Sequence, residues 1–267
     1  MSGQIAGATA SSKGPSLLDS LTEMPRIMCE LGGLTAMWGT LISQAPKGDG
    51  HPVFVLPGFS AGDDSTLMLR RFITRLGYKP LPWLQGTNTG NTDQLEALMY
   101  RFYRLHRSHD CALTIVGQSL GGVYAREIAK EFPDAVRSVI TLGSPYNATG
   151  SGSTSPMVER LFEQMSGMSV EEMRARMPEN RQVPLSVPAT SVYSTNDGVV
   201  GWRTCVEPES ASSENIRVHG SHSGMAMNAD VLRVIADRLA QNPANWTKFD
   251  KEVGCRRMIY PKHHARA

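Results

Sequence analysis

The sequence predicts an α/β protein in which a mostly parallel central sheet carries helices on both faces. Short runs of apolar and β-branched residues alternate with segments of helical periodicity along most of the 267 residues, which is typical of consecutive βαβ units. The two clearest runs are VFVLPG (53–58) and CALTIVG (111–117). Both are apolar throughout, as expected for strands of a parallel sheet that are buried on both faces.

Periodicity, capping residues, and glycine or proline stops place the elements in chain order. Strands are expected at 53–58, in YKPLPWLQG (78–86, weakened by its prolines), at 111–117, in AVRSVITLGSP (135–145), and within the regular segments 189–197 and 215–222. Helices are expected at 17–43, from Asp64 or Ser65 to Leu76, from Thr92 or Asp93 to His109, and at 120–132, 157–165, 170–177 and 228–241. The apolar face of the second helix is expected to use Leu67, Leu69, Phe72, Ile73 and Leu76.

One α/β domain is expected at 17–250, with a lid-like insertion at about 146–188 where the alternation of strands and helices breaks. Residues 1–16 are small and polar and predict a disordered leader. They lack the basic and apolar regions of a signal peptide, which favours a cytoplasmic protein. Residues 251–267 predict a basic, frayed C-terminal tail.

Composition excludes several classes of protein. The net charge of +2, from 27 basic and 25 acidic residues, is too small to indicate a nucleic acid partner. The longest apolar stretch, 28–42, is interrupted by Glu30 and is too short to span a membrane. A helix packed on the core is favoured there over peripheral membrane contact. The four cysteines show no zinc spacing and are expected to be reduced, with a Cys205–Cys255 bridge as the alternative.

The segment TIVGQSLGGVYAREIAKEF (114–132) carries the strongest functional signal. Gly117, Ser119 and Gly121 fit G-x-S-x-G between a predicted strand and a predicted helix, the context that this motif requires. A sharp strand-to-helix turn exposes the serine and leaves no room for side chains two residues away on either side. A nucleophilic Ser119 is therefore favoured over a serine that only caps the helix.

A serine hydroxyl needs a base, and the base needs an orienting acid. Asp197 follows a late predicted strand, although Asp-Gly is also an ordinary turn former. His222 is expected in the loop between the last strand and the last helix, whereas His219 is expected to remain in the strand. The other histidines lie before the first strand (His51), at the end of a helix (His106, His109) or in the tail (His263, His264). His222 is therefore the predicted base.

The tetrahedral oxyanion of acyl transfer also needs preorganised N–H donors. Leu120, directly after the nucleophile, is expected to supply one. The turn after the first strand is expected to supply the other, from Phe59 or, as second choice, Ser60. The alternative is that Pro57-Gly58-Phe59 only ends the strand.

These blocks, taken in order, resemble the α/β-hydrolase superfamily, and within it a group of bacterial lipase-like hydrolases. The resemblance covers about residues 25–250. The stretches that carry it are GDGHPVFVLPGFSAGDDSTLMLRRF, GQSLGGVYAREIAKEFPDAVRSVITLGSPY, YSTNDGVVGWRTC, SENIRVHGSHSGMAMNADVLRVIADRLAQ and NWTKF. It implies an esterase or lipase with Ser119, Asp197 and His222 as its triad. Gln118 stands where many lipases carry histidine.

The predicted activity is hydrolysis of carboxylic esters with short to medium acyl chains, on a small-molecule or lipid substrate and without cofactor or metal. A thioesterase, an amidase or an acyltransferase on the same triad is the alternative, and a non-enzymatic binding module is disfavoured by the intact triad. The insertion is expected to cover the site, and its methionines either line an acyl pocket or only pack on the sheet. These methionines are Met157, Met165, Met168, Met173 and Met177. The residues expected to contact substrate are Ser60, Gln118, Tyr146, Leu161, Phe162 and Met165.

Overall fold

The computed structural model of the chain describes residues 14–147, 154–176, 183–254 and 256–261. Six strands form one sheet in the order β2-β1-β3-β4-β5-β6, and every neighbouring pair is parallel. The predicted mostly parallel sheet is confirmed. The strands are β1 (Pro52–Leu56), β2 (Lys79–Leu81), β3 (Leu113–Gln118), β4 (Val136–Leu142), β5 (Ala189–Ser194) and β6 (Ser213–Val218).

Helices connect the strands and precede the sheet. They are α1 (Leu17–Leu21), α2 (Glu23–Gln44), α3 (Leu67–Arg75), α4 (Thr92–His109), α5 (Leu120–Glu131), α6 (Pro156–Ser166), α7 (Val170–Arg176), α8 (Ala229–Leu239) and α9 (Arg256–Ile259). Within the described ranges, no helix is long and apolar enough to cross a membrane.

The core consists of two apolar layers, one on each face of the sheet. In β1, Val53 and Val55 pack with α2, α3 and α8, whereas Phe54 and Leu56 pack with α4 and α5. Side chains of a strand point alternately to opposite faces, so these two sets lie on opposite sides of the sheet. The expectation of helices on both faces is confirmed.

The register brings the carboxyl ends of the strands to one edge of the sheet. Leu56 of β1 pairs with Gly117, Gln118 of β3 pairs with Leu142, and Ser194 of β5 pairs with Val218. In open parallel sheets ligands bind outside this edge. The loops that follow β1, β3, β4, β5 and β6 therefore form the functional face of the molecule.

The last two strands stop at Ser194 and Val218. Asp197 and His222 therefore follow their strands, as expected, but the last strand ends earlier than the sequence predicts. His219 was expected in the strand, but it lies just beyond the strand end and is exposed. Gly220 follows His219 and has no side chain. The alternation of apolar and polar side chains therefore does not reveal where the strand ends.

One residue of the second predicted helix also differs from expectation. Leu67 was assigned to the apolar face of α3, but it is 37% exposed because α3 begins there, after a 3₁₀ turn at Asp63–Thr66.

The tail was expected to be frayed, yet Tyr260 is buried against Phe249 with ring centroids 4.9 Å apart. Its hydroxyl donates to the carbonyl of Asp230 in α8 at 2.9 Å. One aromatic ring thus anchors the described part of the tail.

The first predicted helix is split at Thr22 into α1 and α2. Leu34 and Leu41 of α2 are buried on the core, as expected for a packed helix. The N-terminal part presents an exposed apolar stripe instead, formed by Leu17, Leu18, Leu21, Met24 and Met28.

Glycines occupy opposite environments in α2 and α5. A Cβ atom on Gly39 of α2 would meet nothing within 4 Å. A Cβ atom on Gly121 of α5 would lie 2.5 Å from the carbonyl oxygen of Pro57 and 2.6 Å from that of Leu56. The N-terminus of α5 therefore approaches the end of β1 so closely that position 121 has no room for a side chain. At Gly39 there is room for a side chain, and the glycine only lowers the stability of α2.

The same substitution should thus have opposite effects at these two helical positions. Gly39→Ala should raise the free energy of unfolding by about 0.5–1 kcal/mol, since alanine is the better helix former. Gly121→Ala should lower it by about 2 kcal/mol or more, because overpacking forces the backbone to move. Urea unfolding followed by circular dichroism measures both, and equal effects of the two variants would contradict this packing.

Candidate active site

Ser119 stands at the turn where β3 becomes α5. Its backbone has φ 50° and ψ −122°, a conformation that residues with a side chain rarely adopt. Such strain persists only where the surrounding structure enforces it, and here the Ser119 N–H donates to the carbonyl of Leu142 in β4 at 2.8 Å. The side chain is half-buried, and its hydroxyl hydrogen-bonds to none of the described residues.

Three glycines make this turn possible. Cβ atoms on Gly117 and Gly121 would lie 2.4 Å and 2.5 Å from carbonyl oxygens, which explains the spacing that the sequence shows. A Cβ atom on Gly122 would lie 1.9 Å from the hydroxyl of Ser144. Gly122 was not singled out in the sequence, although the doubled glycine was visible.

Asp197 and His222 are in direct contact. Nδ1 of His222 lies 2.6 Å from Oδ2 of Asp197, and both side chains are buried. The other carboxylate oxygen of Asp197 accepts the N–H groups of Val199 at 2.9 Å and Val200 at 2.8 Å. These contacts fix the orientation of the ring, and Nε2 forms no hydrogen bond with a described residue.

The pKa of His222 is shifted by opposing influences. Burial lowers it, because the charged imidazolium loses hydration. The negative charge of Asp197, its hydrogen bond to the ring, and the charge of Glu23 raise it. The net result is a pKa raised above the ordinary histidine value, so the ring releases its proton at a higher pH than an ordinary histidine does.

The Ser119 segment and the His222 segment are joined through Gln118. Within the described part of the chain, Ser119 and His222 form no direct hydrogen bond, and hydrogen bonds of this kind are often long in unliganded enzymes. The amide nitrogen of Gln118 donates to the carbonyls of His222 at 3.0 Å and Ser223 at 3.3 Å. Gln118 was expected to contact substrate, and its amide N–H groups already have these partners.

Two backbone N–H groups near Ser119 have no hydrogen-bond partner among the described residues. A Cβ atom on Gly58 would lie 3.1 Å from Cβ of Ser119, so the turn after β1 runs directly past the serine. The N–H groups of Phe59 and Leu120 donate to none of the described residues. The N–H of Ser60 is taken by the carbonyl of Asn88 at 2.7 Å, which favours Phe59 over Ser60 as a donor.

Asn88 holds this turn in place and was not identified from the sequence. It is fully buried. Its amide nitrogen donates to the carbonyl of Pro57 at 3.1 Å, and its backbone N–H donates to the carbonyl of Ala61 at 2.8 Å. An asparagine in the segment TNTGN gives no sequence signal for this role, because the two segments meet only in the folded sheet.

The insertion reaches from the Asp197 turn to the turn that carries Phe59. At its start, Thr154 pairs with Val200, and the N–H of Ser155 donates to the carbonyl of Val199 at 2.8 Å. Further along α6, the ring of Phe162 packs on the ring of Phe59 with centroids 5.3 Å apart. Helix α6 therefore links two of the loops at the functional face.

The other predicted pocket residues occupy varied positions. Leu161 is 40% exposed and Met165 is half-buried. Tyr146 is buried beneath the guanidinium of Arg126, 4.0 Å from the ring centroid. Ser60 is exposed with φ 59°.

The methionines of the insertion do not share one role. Met168 and Met173 pack on the core, and Met157 is 77% exposed. Met177 lies outside the described residues, as do the tail histidines His263 and His264 and the alternative disulfide partner Cys255. Cys205 itself is buried with a free thiol.

Two glutamates of α2 also contact these loops and were missed in the sequence. The carboxylate of Glu23 accepts the N–H of His222 at 2.9 Å, and that of Glu30 accepts the N–H of Ser221 at 2.6 Å. Glu30 was read only as an interruption of an apolar stretch. Because these partners are 199 and 191 positions apart in the sequence, no local sequence pattern indicates that they are in contact.

No protein-family model matches the chain, and no curated protein sequence matches it. Solved structures do match. Lipase B of Aspergillus fumigatus has a TM-score of 0.58 and 17% identity over 82% of this chain, which spans only 60% of that enzyme. The monoacylglycerol lipase of Paleococcus ferrophilus has a TM-score of 0.52 and 14% identity, covering 73% of this chain and 95% of the lipase.

A thioesterase is similar to about the same degree. The type II thioesterase BorB from the borrelidin biosynthetic cluster has a TM-score of 0.51 and 16% identity, covering 74% of this chain and 95% of the thioesterase. These likenesses agree with the parallel sheet order and with the crossover helices on both faces. The chain has the α/β-hydrolase fold.

Proposed function

We propose that the chain is a serine hydrolase that cleaves carboxylic esters of short to medium acyl chain length. The observation that carries the proposal is the 2.6 Å contact between Asp197 and His222 at the same sheet edge as Ser119. The backbone of Ser119 is strained, and its hydroxyl has no hydrogen-bond partner among the described residues. A buried acid–histidine pair near a serine at the same sheet edge is the arrangement that activates a weak nucleophile. The lipases among the similar structures support this reaction type.

In the proposed mechanism, the Ser119 oxygen attacks the ester carbonyl while Nε2 of His222 accepts the hydroxyl proton. Asp197 keeps the ring oriented through Nδ1 and stabilises the imidazolium that forms. The N–H groups of Phe59 and Leu120 stabilise the tetrahedral oxyanion, a contribution of about 3–4 kcal/mol for one such donor. His222 then protonates the leaving alcohol, and water cleaves the acyl-enzyme by the same steps.

Thioester hydrolysis is the second candidate, because the type II thioesterase superposes about as well as the monoacylglycerol lipase. The triad chemistry is the same for both acyl donors, so the leaving group is selected by the pocket around Ser119. Helix α6 is the element that we expect to select it, since it packs on Phe59 next to the proposed oxyanion site.

The first prediction concerns the reaction. Wild-type protein should hydrolyse at least one member of a panel of p-nitrophenyl esters, an acyl-thioester and an anilide. Ser119→Ala should lose this activity by about 10³-fold or more, as expected when a triad nucleophile is removed. Ser43→Ala, on the surface of α2, is the matched control and should retain it. Equal rates for wild type and Ser119→Ala would refute the assignment.

The second prediction concerns pH. Only neutral His222 accepts the serine proton, so kcat/KM should rise with pH as the ring loses its proton. Since the pKa of His222 is raised, the midpoint of this limb should lie above the ordinary value of 6.5. His222→Ala should lower kcat/KM by about 10³-fold. His219→Ala, at an exposed position, should keep the kcat/KM of wild type and its rise with pH. The reverse order would identify His219 as the base.

The third prediction concerns the acyl chain. Phe162→Ala should change the ratio of kcat/KM between short and long acyl esters by about 1–3 kcal/mol, the scale on which an apolar pocket discriminates. Leu161→Ala and Met165→Ala should change it less, since these side chains are more exposed. Met157→Ala, at 77% exposure, is the control. A general loss of stability lowers kcat/KM for the short and the long ester by the same factor and leaves the ratio unchanged. An unchanged ratio in all variants would therefore mean that the acyl chain does not contact α6.

A further inference from the structure

Helix α2 touches both loops that carry the acid and the histidine. Oε1 of Glu23 accepts the N–H of Gly198, next to Asp197, at 2.9 Å, and the N–H of His222 itself at 2.9 Å. Oε2 accepts the N–H of Ser223 at 3.3 Å. One buried carboxylate thus connects the two segments whose side chains form the acid–histidine pair.

Glu30, two helical turns further on, extends this contact along the same face of α2. Its carboxylate accepts both the N–H of Ser221 at 2.6 Å and the hydroxyl of Ser221 at 2.7 Å. Arg26 lies between the two glutamates and donates to the carbonyls of Asn196 and, at 3.4 Å, Gly220. Residues three and four apart share a helix face, so these three charged side chains form one row against the loops.

The loops are shaped to receive the helix pair. A Cβ atom on Gly198 would lie 2.4 Å from the carbonyl oxygen of Asp19, and one on Gly224 would lie 1.5 Å from the carboxylate of Glu30. The hydroxyl of Ser20 donates to the carbonyl of Gly198 at 2.7 Å. A side chain at either glycine would displace the helix from the loops.

The stability of the fold does not by itself require carboxylates at Glu23 and Glu30. Burying a charge is unfavourable unless hydrogen bonds compensate for its lost hydration, and an apolar contact of similar size stabilises at least as well. Glu23 is only 8% exposed. Its carboxylate forms an ion pair with Arg26 at 3.1 Å and accepts the N–H groups of Gly198, His222 and Ser223. These backbone contacts hold the histidine loop next to the Asp197 turn.

We propose that Glu23 is a positioning residue that sets the orientation of His222 toward Ser119, and that Glu30 fixes the adjacent turn of the same loop. The inference rests on the proposed function, since it assigns Glu23 a role in acyl transfer through His222. Glu23 does not touch the reacting atoms. It acts through the backbone of the base and through its negative charge beside the imidazolium that forms during the reaction.

The charged groups that face the His222 segment define the expected pH response. Asp197 lies in the turn after β5, and Glu23, Arg26 and Glu30 lie on α2. Of these, Asp197 and Glu23 raise the pKa of His222. Removing the charge of Glu23 should lower that pKa and move the acid limb of kcat/KM to lower pH, whereas removing the charge of Glu30 should leave the limb in place.

The test compares Glu23→Gln with Glu96→Gln, the same substitution at an exposed glutamate of α4. Glu23→Gln should lower kcat by about 10- to 100-fold with little change in KM, the effect of a misplaced catalytic group. The acid limb of its kcat/KM profile should move to lower pH. Glu96→Gln should match wild type in kcat and in the position of the acid limb. A purely structural glutamate would lower the melting temperature but leave kcat and the limb unchanged in the folded enzyme, and that result overturns the proposal.

Two further measurements keep the test decisive. If Glu23→Gln does not fold, Glu30→Gln decides through kcat: a fall at unchanged KM supports the proposal, and a wild-type kcat overturns it. If wild type hydrolyses no acyl substrate, the proposed function fails, and NMR titration of the His222 ring tests Glu23 separately. A ring pKa in Glu23→Gln below that of wild type supports the coupling, and equal values contradict it.

Discussion

The close approach of α5 to the end of β1 is the constraint on which the site depends. Because Gly121 packs against the carbonyls of Leu56 and Pro57, the chain must reverse within two residues of β3, and Ser119 is forced into a left-handed conformation. That turn directs the serine out of the sheet edge and leaves the N–H of Leu120 at the start of a helix, where negative charge is favoured. It also brings the turn after β1 alongside the serine.

The same edge collects carboxylates whose charges are compensated mainly by backbone N–H groups. Asp197 accepts two of them as well as the ring of His222, and Glu23 and Glu30 reach the same loops from α2. Helix α2 therefore both covers one face of the sheet with Leu34 and Leu41 and fixes the loops at its edge. The N-terminal helix pair thus packs on both loops that carry the proposed acid and base.

Local sequence patterns predicted the sheet, its helices and the position of Ser119, because strand periodicity and paired glycines act over a few residues. The places of Asp197 and His222 followed from parallel topology, which sends successive strand ends to one edge. Contacts between distant segments could not be predicted in this way. Asn88 reaches the turn after β1, Glu23 reaches His222, and Tyr260 reaches α8 only after folding. The exposed position of His219 depended on where β6 stops pairing, which composition does not reveal.

In the proposed site, Ser119 is the activated serine. The most direct measurement is labelling of the intact protein with a fluorophosphonate, followed by peptide mapping by mass spectrometry. We expect a single adduct on Ser119, formed in proportion to the neutral fraction of His222 as pH is varied. Stoichiometric labelling at another residue, or no labelling of folded protein at any pH where it is stable, would show that Ser119 is not activated in this fold.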